Sequence, residues 1–264
     1  MDLGIRGETA LVVGASEGIG YASAQALLEE GANVLICSRN ADRLKQAAAR
    51  LEQSAGRPVR WFAADVTQAG QVAALQAWLV QQAPALDILV SAVGGSQRAL
   101  FGELDDAAWY ANYEFNIMGT VRVIRAALEP LKKSATGGRI VILGAAGPRM
   151  PYPHQLVSNV HKAGLIAMVK TLGVEFQPYN IRVNSVSPGR TMTSLWTTRI
   201  DKLSKERSVP PEEIVREFAH EIPLGRFGQP EEIAPMVVFL VSHKTSYVTC
   251  QSILVDGGIA RGLI

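Results

Sequence analysis

The chain has 264 residues, 48% of them hydrophobic and 19% charged, with a formal net charge of +2. This composition supports a large buried core and excludes a disordered tail; with both signs interspersed there is no basic stripe for nucleic acid and no footprint for an anionic membrane. The two cysteines, Cys37 and Cys250, stand in apolar surroundings without metal-ligand spacing, so no metal site is expected and both are read as buried, reduced thiols.

The opening "MDLGIRGETALVVG" lacks a basic region followed by a long apolar run; no signal peptide is expected, and the reading is a soluble, cytoplasmic protein. A first strand is predicted at "TALVV" (9–13). It runs into "GASEGIG" and a helix over 18–30. Gly14, Gly18 and Gly20 at this junction permit a tight turn, close approach of backbone to a pyrophosphate, and close helix–strand packing. Ser16, Glu17 and Ile19 complete the turn, whose amides at the helix start favour negative charge.

The second strand, "NVLIC" (33–37), ends in Ser38, Arg39 and Asn40 ahead of a helix over 41–55. A dinucleotide with a free 2′-hydroxyl usually meets an acidic residue here, whereas a hydroxyl and a guanidinium suit a 2′-phosphate. NADP(H) is therefore the expected cofactor. Glu17 argues mildly against it, and a solvated surface arginine is the alternative for Arg39. Strands follow at 59–63, 87–92, 139–143, 181–186 and 252–256, and helices at 69–82, 105–132, 156–176 and 230–242. The strands are rich in Val, Ile and Leu with little alternation, the pattern of strands covered on both faces. Strand and helix in repeated order imply an α/β fold, a parallel sheet with helices on both faces, in a single domain over 1–264. Apolar runs such as "MVVFLV" are too short to cross a bilayer. Residues 191–229 break the rhythm with charge, proline and glycine; they are read as one or two short surface helices forming a lid over a ligand, against a passive excursion.

With these motifs placed, the whole chain resembles the short-chain dehydrogenase/reductases. "GASEGIG" matches the family's cofactor-phosphate turn, and Asp65 with Val66 matches the pair beside the adenine. Ser91, Ala92, Val93 and Gly94 stand where an Asn-Asn-Ala-Gly stretch lies under the adenosine. Asn116 in "FNIMG" matches the active-site asparagine; Pro188, Gly189, Thr191 and Thr193 in "SPGRTMT" match the loop around the nicotinamide amide. The resemblance implies a doubly wound, Rossmann-type sheet of about seven strands, a nicotinamide cofactor, and a homotetramer or homodimer.

The departures fall in the catalytic set. The family uses Ser, Tyr and Lys. Here Lys162 is present, Ser158 occupies the tyrosine position four residues before it, and Ala145 the serine position. Residues four apart share a helix face. A phenol starts near pKa ~10 and a nearby cation lowers it by roughly 1–3 units. An aliphatic hydroxyl starts closer to the ~15.7 of water, so Ser158 is no simple replacement as acid, although it can donate a hydrogen bond or hold a water. Tyr152 and His154, in the loop before this helix, are the other candidate donors. His161 points about 60° to the other side of Ser158 on the helix and is a less favoured donor. Lys162 is expected to be exposed or bound to the cofactor ribose, with Asn116 holding a water beside it. A Ser-Asn pair, here Ser158–Asn159, is similar to an atypical branch of the family. Two functions follow. One is an NADP(H)-dependent oxidoreductase for a small carbonyl or conjugated enone with non-standard proton delivery; the other is a non-redox NADP(H)-binding sensor, scaffold or lyase-like protein. The substrate pocket is expected from loops 94–102, 146–157 and 191–222. Apolar residues around much of the circumference of the helices at 105–132 and 156–176, Val160 and Leu165 among them, are the physical hint of a subunit contact.

Overall fold

The structure, a computed structural model, describes residues 1–262. Seven strands, β1 (Thr9–Val13), β2 (Asn33–Ser38), β3 (Arg60–Ala63), β4 (Ile88–Ser91), β5 (Arg139–Leu143), β6 (Arg182–Pro188) and β7 (Ser252–Val255), form one sheet in the order β3-β2-β1-β4-β5-β6-β7. Every pairing is parallel.

Strand side chains alternate between two cores, which is why the strands read as unbroken apolar runs. From β1, Ala10 and Val12 enter one core and Leu11 and Val13 the other; Val34 and Ile36 of β2 likewise oppose Leu35 and Cys37. On the first face pack α1 (Gly18–Glu29), α2 (Ala41–Ala55) and α9 (Pro230–Val241). The second face carries α3 (Ala69–Gln82), α5 (Gly119–Lys132) and α6 (Leu156–Glu175). Each fully buried Leu or Ile contributes about 1.5–3 kcal/mol over its exposed state. Strands and helix ends match the sequence expectation to within a residue or two, the usual scale of fraying.

The helix expected over 105–132 is divided. It runs as α4 (Asp106–Tyr113), a π-turn (Glu114–Met118) and α5. Inside the break, the Asn116 side chain donates to the Asn112 carbonyl at 3.1 Å, competing with the backbone ladder. Beyond it, Gly119 sits so close to Val66 that a Cβ would lie 2.9 Å from its methyl group. Residues 191–229 contain two helices, α7 (Ser194–Arg207) and α8 (Pro211–His220), built around a small core of their own that includes Ile200, Ile214 and Phe218.

Cys37 is buried, and burial pushes its thiol up to about 12. Cys250, expected to be buried, is half-buried in the left-handed region (φ 60°), because the backbone turns there into β7. Val157, Leu165 and Val169 of α6 are buried, while Val160 and Val174, with Tyr110 and Tyr113 of α4, are exposed. No described helix is long and apolar enough to cross a membrane.

Candidate active site

Strand order reverses around β1, and a cavity of about 1270 Å³ opens along the carboxyl ends of the strands at this switch point. Gly14, Ser16, Glu17, Gly18, Ile19 and Gly20 line its floor. Gly14 has φ 87°, and a Cβ there would lie 2.4 Å from the Ala92 carbonyl oxygen, so only glycine lets β1 and β4 flank the turn this closely. The N-cap of α1, Glu17, makes no side-chain capping bond. The first amides of the helix are thus left for an anion.

At the end of β2, the Ser38 hydroxyl lies 3.0 Å from that of Ser16, and the Arg39 guanidinium sits over the Phe115 ring at 5.8 Å. No carboxylate pairs with Arg39 among the described residues. Glu17 lies 3.6 Å from Arg43, which offsets the charge it would otherwise set against a phosphate. Asp65 lines the cavity with a carboxylate oxygen fixed by the Thr67 amide and hydroxyl, at 2.9 and 2.7 Å; Val66, Ala92, Val93 and Gly94 continue the wall. Opposite stand Pro188, Gly189, Thr191 and Thr193, and the Thr193 methyl is close enough to meet a Cβ on Gly18 at 3.4 Å.

Two residues expected to bind cofactor lie outside this lining. Asn40 caps α2, its side-chain oxygen accepting the Arg43 amide at 2.9 Å. Ser91 is fully buried in the last rung of β4, paired with Val13 and Ile142, before the chain leaves the sheet.

Two of the catalytic candidates, Lys162 and Asn116, meet at Gly94. At φ 131°, a Cβ there would lie 2.6 Å from both the Lys162 Nζ and the Asn116 Oδ1. Lys162 is buried rather than exposed: its ammonium donates to the Leu143 carbonyl at 3.4 Å in a recess that the missing Gly94 side chain leaves free. Burial lowers its pKa to about 8, which eases the cost of its desolvation. Asn116 stands behind the wall, not in it. Its Oδ1 accepts the Gly95 amide at 3.1 Å and its Nδ2 donates to Asn112.

Ser158 lines the cavity on the same face of α6 as Lys162, but its hydroxyl is engaged. It accepts the Gln97 amide at 2.8 Å and donates to the Gln97 carbonyl at 3.1 Å, tying α6 to the loop after β4. Ala145 contributes a methyl group to the wall. Tyr152 is the one tyrosine among the described residues that lines the cavity. Its hydroxyl lies 3.6 Å from the Met150 sulfur, its ring lies under the Arg190 guanidinium at 5.2 Å, and burial raises its pKa. His154 also lines the cavity; it adopts φ 65°, and its carbonyl accepts the Ala99 amide at 3.0 Å. His161 turns away and lies 2.8 Å from the Asn112 oxygen.

The outer wall comes from the three segments expected, 94–102, 146–157 and 191–222, but the side chains that matter in it are not marked in the sequence. Asn159 lines the cavity beside Gly147, and Trp196 and Arg199 project from α7 with Arg98 and Arg190 nearby. The one local signal was the i,i+3 spacing of Trp196 and Arg199, which places them on one helix face.

Comparison with known proteins agrees with this architecture. A family model described as enoyl-(acyl carrier protein) reductase matches residues 14–260. The 2,3-dihydro-2,3-dihydroxybenzoate dehydrogenase of Bacillus subtilis is 31% identical over 261 residues, covering 98% of each chain. L-sorbose reductase from Gluconobacter frateurii, solved with NADPH and L-sorbose, superposes with a TM-score of 0.95 at 32% identity over the full length of both chains. An NADPH-bound short-chain oxidoreductase from Pseudomonas aeruginosa PAO1, described as containing an atypical catalytic center, has a TM-score of 0.89 at 31% identity, covering 96% of this chain and 97% of that one.

Proposed function

The chain belongs to the short-chain dehydrogenase/reductase family, and from that premise we propose that it is an NADP(H)-dependent oxidoreductase of a small carbonyl or conjugated enone, with Ser158 and Ala145 in the family's Tyr and Ser positions and a proton source other than a tyrosine at 158. One observation carries this reading: the uncapped start of α1, an unpaired Arg39 and a buried Lys162 open onto a single cavity that also has walls for a second small molecule.

The lining fits a 2′-phosphorylated dinucleotide. The glycine turn would hold the pyrophosphate, Ser38 and Arg39 the 2′-phosphate, Asp65 and Val66 the adenine, Lys162 the ribose, and residues 188–193 the nicotinamide amide. Bound there, the cofactor supplies a hydride to a substrate carbon. The protein's own task is to stabilise the oxygen that becomes negative and to return a proton. An ammonium with pKa about 8 is charged at neutral pH and acidic enough to give that proton, directly or through one water. Ser158 is a positioning residue in this scheme, since its hydroxyl holds Gln97 and the loop that walls the substrate. Conjugate reduction suits such a site, because an enolate needs charge stabilisation first and its proton later.

The segment with α7 and α8 acts as the lid, and the exposed face of α4 and α6 as the contact in a homodimer or homotetramer. Mixing the purified protein with NADPH and a panel of enones and ketones, followed by absorbance at the reduced nicotinamide band, tests the reading. Oxidation of NADPH by at least one class is expected. Tight NADPH binding with no turnover across the panel would favour the second reading, a cofactor-binding protein without redox chemistry, which the engaged hydroxyl of Ser158 supports. Arg39→Ala is expected to weaken NADPH about 10- to 100-fold while leaving NADH unchanged, as loss of a charge-assisted phosphate contact implies. Fluorescence titration of both nucleotides checks it.

A further inference from the structure

The cavity wall supplied by α7 and α8 is unevenly charged. Arg190 pairs with Glu221 at 2.7 Å, Arg207 with Glu217 at 2.7 Å and Lys202 with Glu206 at 3.6 Å, while the Glu103 carboxylate accepts the Leu100 amide at 2.7 Å. Two cations that line the cavity here, Arg199 of α7 and Arg98 of the loop after β4, pair with no carboxylate among the described residues.

Both lie over the same indole. The guanidinium carbons of Arg199 and Arg98 are 5.1 and 5.4 Å from the Trp196 ring centroid, and Arg199 is also 5.0 Å from the Phe218 ring. Aromatic faces hold the planar fork in place but accept none of its hydrogen bonds directly. The Arg199 Nε and Nη1 are buried without a hydrogen-bond partner. Unmatched buried donors are costly; these are closed off against the aromatic wall, on a residue that lines the cavity, so an anion arriving there would give them a partner once the side chain turns.

We propose that the substrate carries a carboxylate, which Arg199 captures beside Trp196 by turning its partnerless N–H groups from the aromatic wall toward the cavity, with Arg98 steering it at the mouth. The inference rests on the oxidoreductase reading and narrows it: the compound reduced is an oxo acid or an enone acid, with the reacting carbonyl directed toward Lys162. A planar monoanion matches the guanidinium fork, whereas a phosphate dianion would be repelled more strongly by Glu217, which lines the same wall.

Isothermal titration of 4-(4-carboxyphenyl)-3-buten-2-one and of its carboxamide into the NADP⁺-saturated protein tests this, since oxidised cofactor prevents reduction during the measurement. The acid is expected to bind about tenfold or more tightly than the amide. Arg199→Met removes that difference while leaving the affinities for the amide and for NADP⁺ unchanged, and Arg98→Met narrows it. Equal binding of acid and amide, no binding of either, or an equal loss of both in Arg199→Met overturns the proposal. Failure of NADP⁺ and NADPH to bind is a separate result that overturns the cofactor reading; the same acid and amide are then compared on the free protein by the same criterion. If circular dichroism shows Arg199→Met unfolded, Arg199→Lys, which keeps the charge and loses the fork, and the exposed Arg98→Met carry the test. A loss confined to the acid is again required.

Discussion

Lys162→Met lowers kcat/KM for NADPH-dependent reduction by about 10²- to 10⁴-fold, the range associated with losing a general acid. Methionine fills the same recess without a charge, so the variant is expected to keep its fold: the ammonium it removes is buried, with a carbonyl at 3.4 Å as its single hydrogen-bond partner. The pH profile identifies the role. With its pKa lowered to about 8 by burial, Lys162 is charged below that value and neutral above it. Reduction by the wild-type protein is therefore level on the acid side and falls about tenfold per unit as pH rises beyond 8, following the protonated fraction. Lys162→Arg retains a cation, but one that does not titrate in this range; its rate stays low and the alkaline fall disappears. A wild-type profile flat from pH 6 to 10 would show that the proton comes from elsewhere.

The second large effect concerns stability and lies at the opposite edge of the sheet. Glu8, just before β1, and Arg139, the first residue of β5, form a buried ion pair at 2.6 Å, with side chains 9% and 3% exposed. Thr136 and His243 add hydrogen bonds to Glu8, each at 2.8 Å. Glu8→Leu leaves the Arg139 guanidinium buried without its carboxylate, and its Nε already has no partner. Removing one member of such a pair costs about 3–5 kcal/mol, read as a lower midpoint in urea unfolding. Replacing both, Glu8→Leu with Arg139→Met, is expected to recover at least half of the loss, because the pair's own desolvation cost is removed with it. Activity under folding conditions should be unaffected, since the pair lies at the amino ends of the strands. A double variant no more stable than the single one would mean that the surrounding hydrogen bonds, and not the charge, hold this corner.

How much of this was legible in the sequence follows the range of the interactions. Strands such as Thr9–Val13 and Asn33–Ser38 announce themselves because both faces of each are buried, and the turn at Gly14 because its backbone conformation demands glycine. The break in the helix at Asn116 was hidden, since it depends on a side chain bonding four residues back and on the approach of Val66 to Gly119. Asn40, expected beside the cofactor with Ser38 and Arg39, has its side-chain oxygen engaged one turn on in α2. Spacing put Ser158 and Lys162 on one face but could not show that Ser158 meets Gln97, 61 residues earlier in the chain. Nor could it show Lys162 recessed beside Gly94, buried yet still bordering the cavity. The gathering of Arg98 and Arg199 on Trp196 likewise needs two distant segments to meet.

The bond between Ser158 and Gln97 has a mechanical consequence. Its two halves occupy the amide and the carbonyl of one residue in an adjoining loop, so a replacement at 158 that cannot both accept and donate there leaves that peptide segment without its partners. One hydroxyl thus couples the stiffness of the loop to the first turns of α6, and slackness at either end is passed to the other.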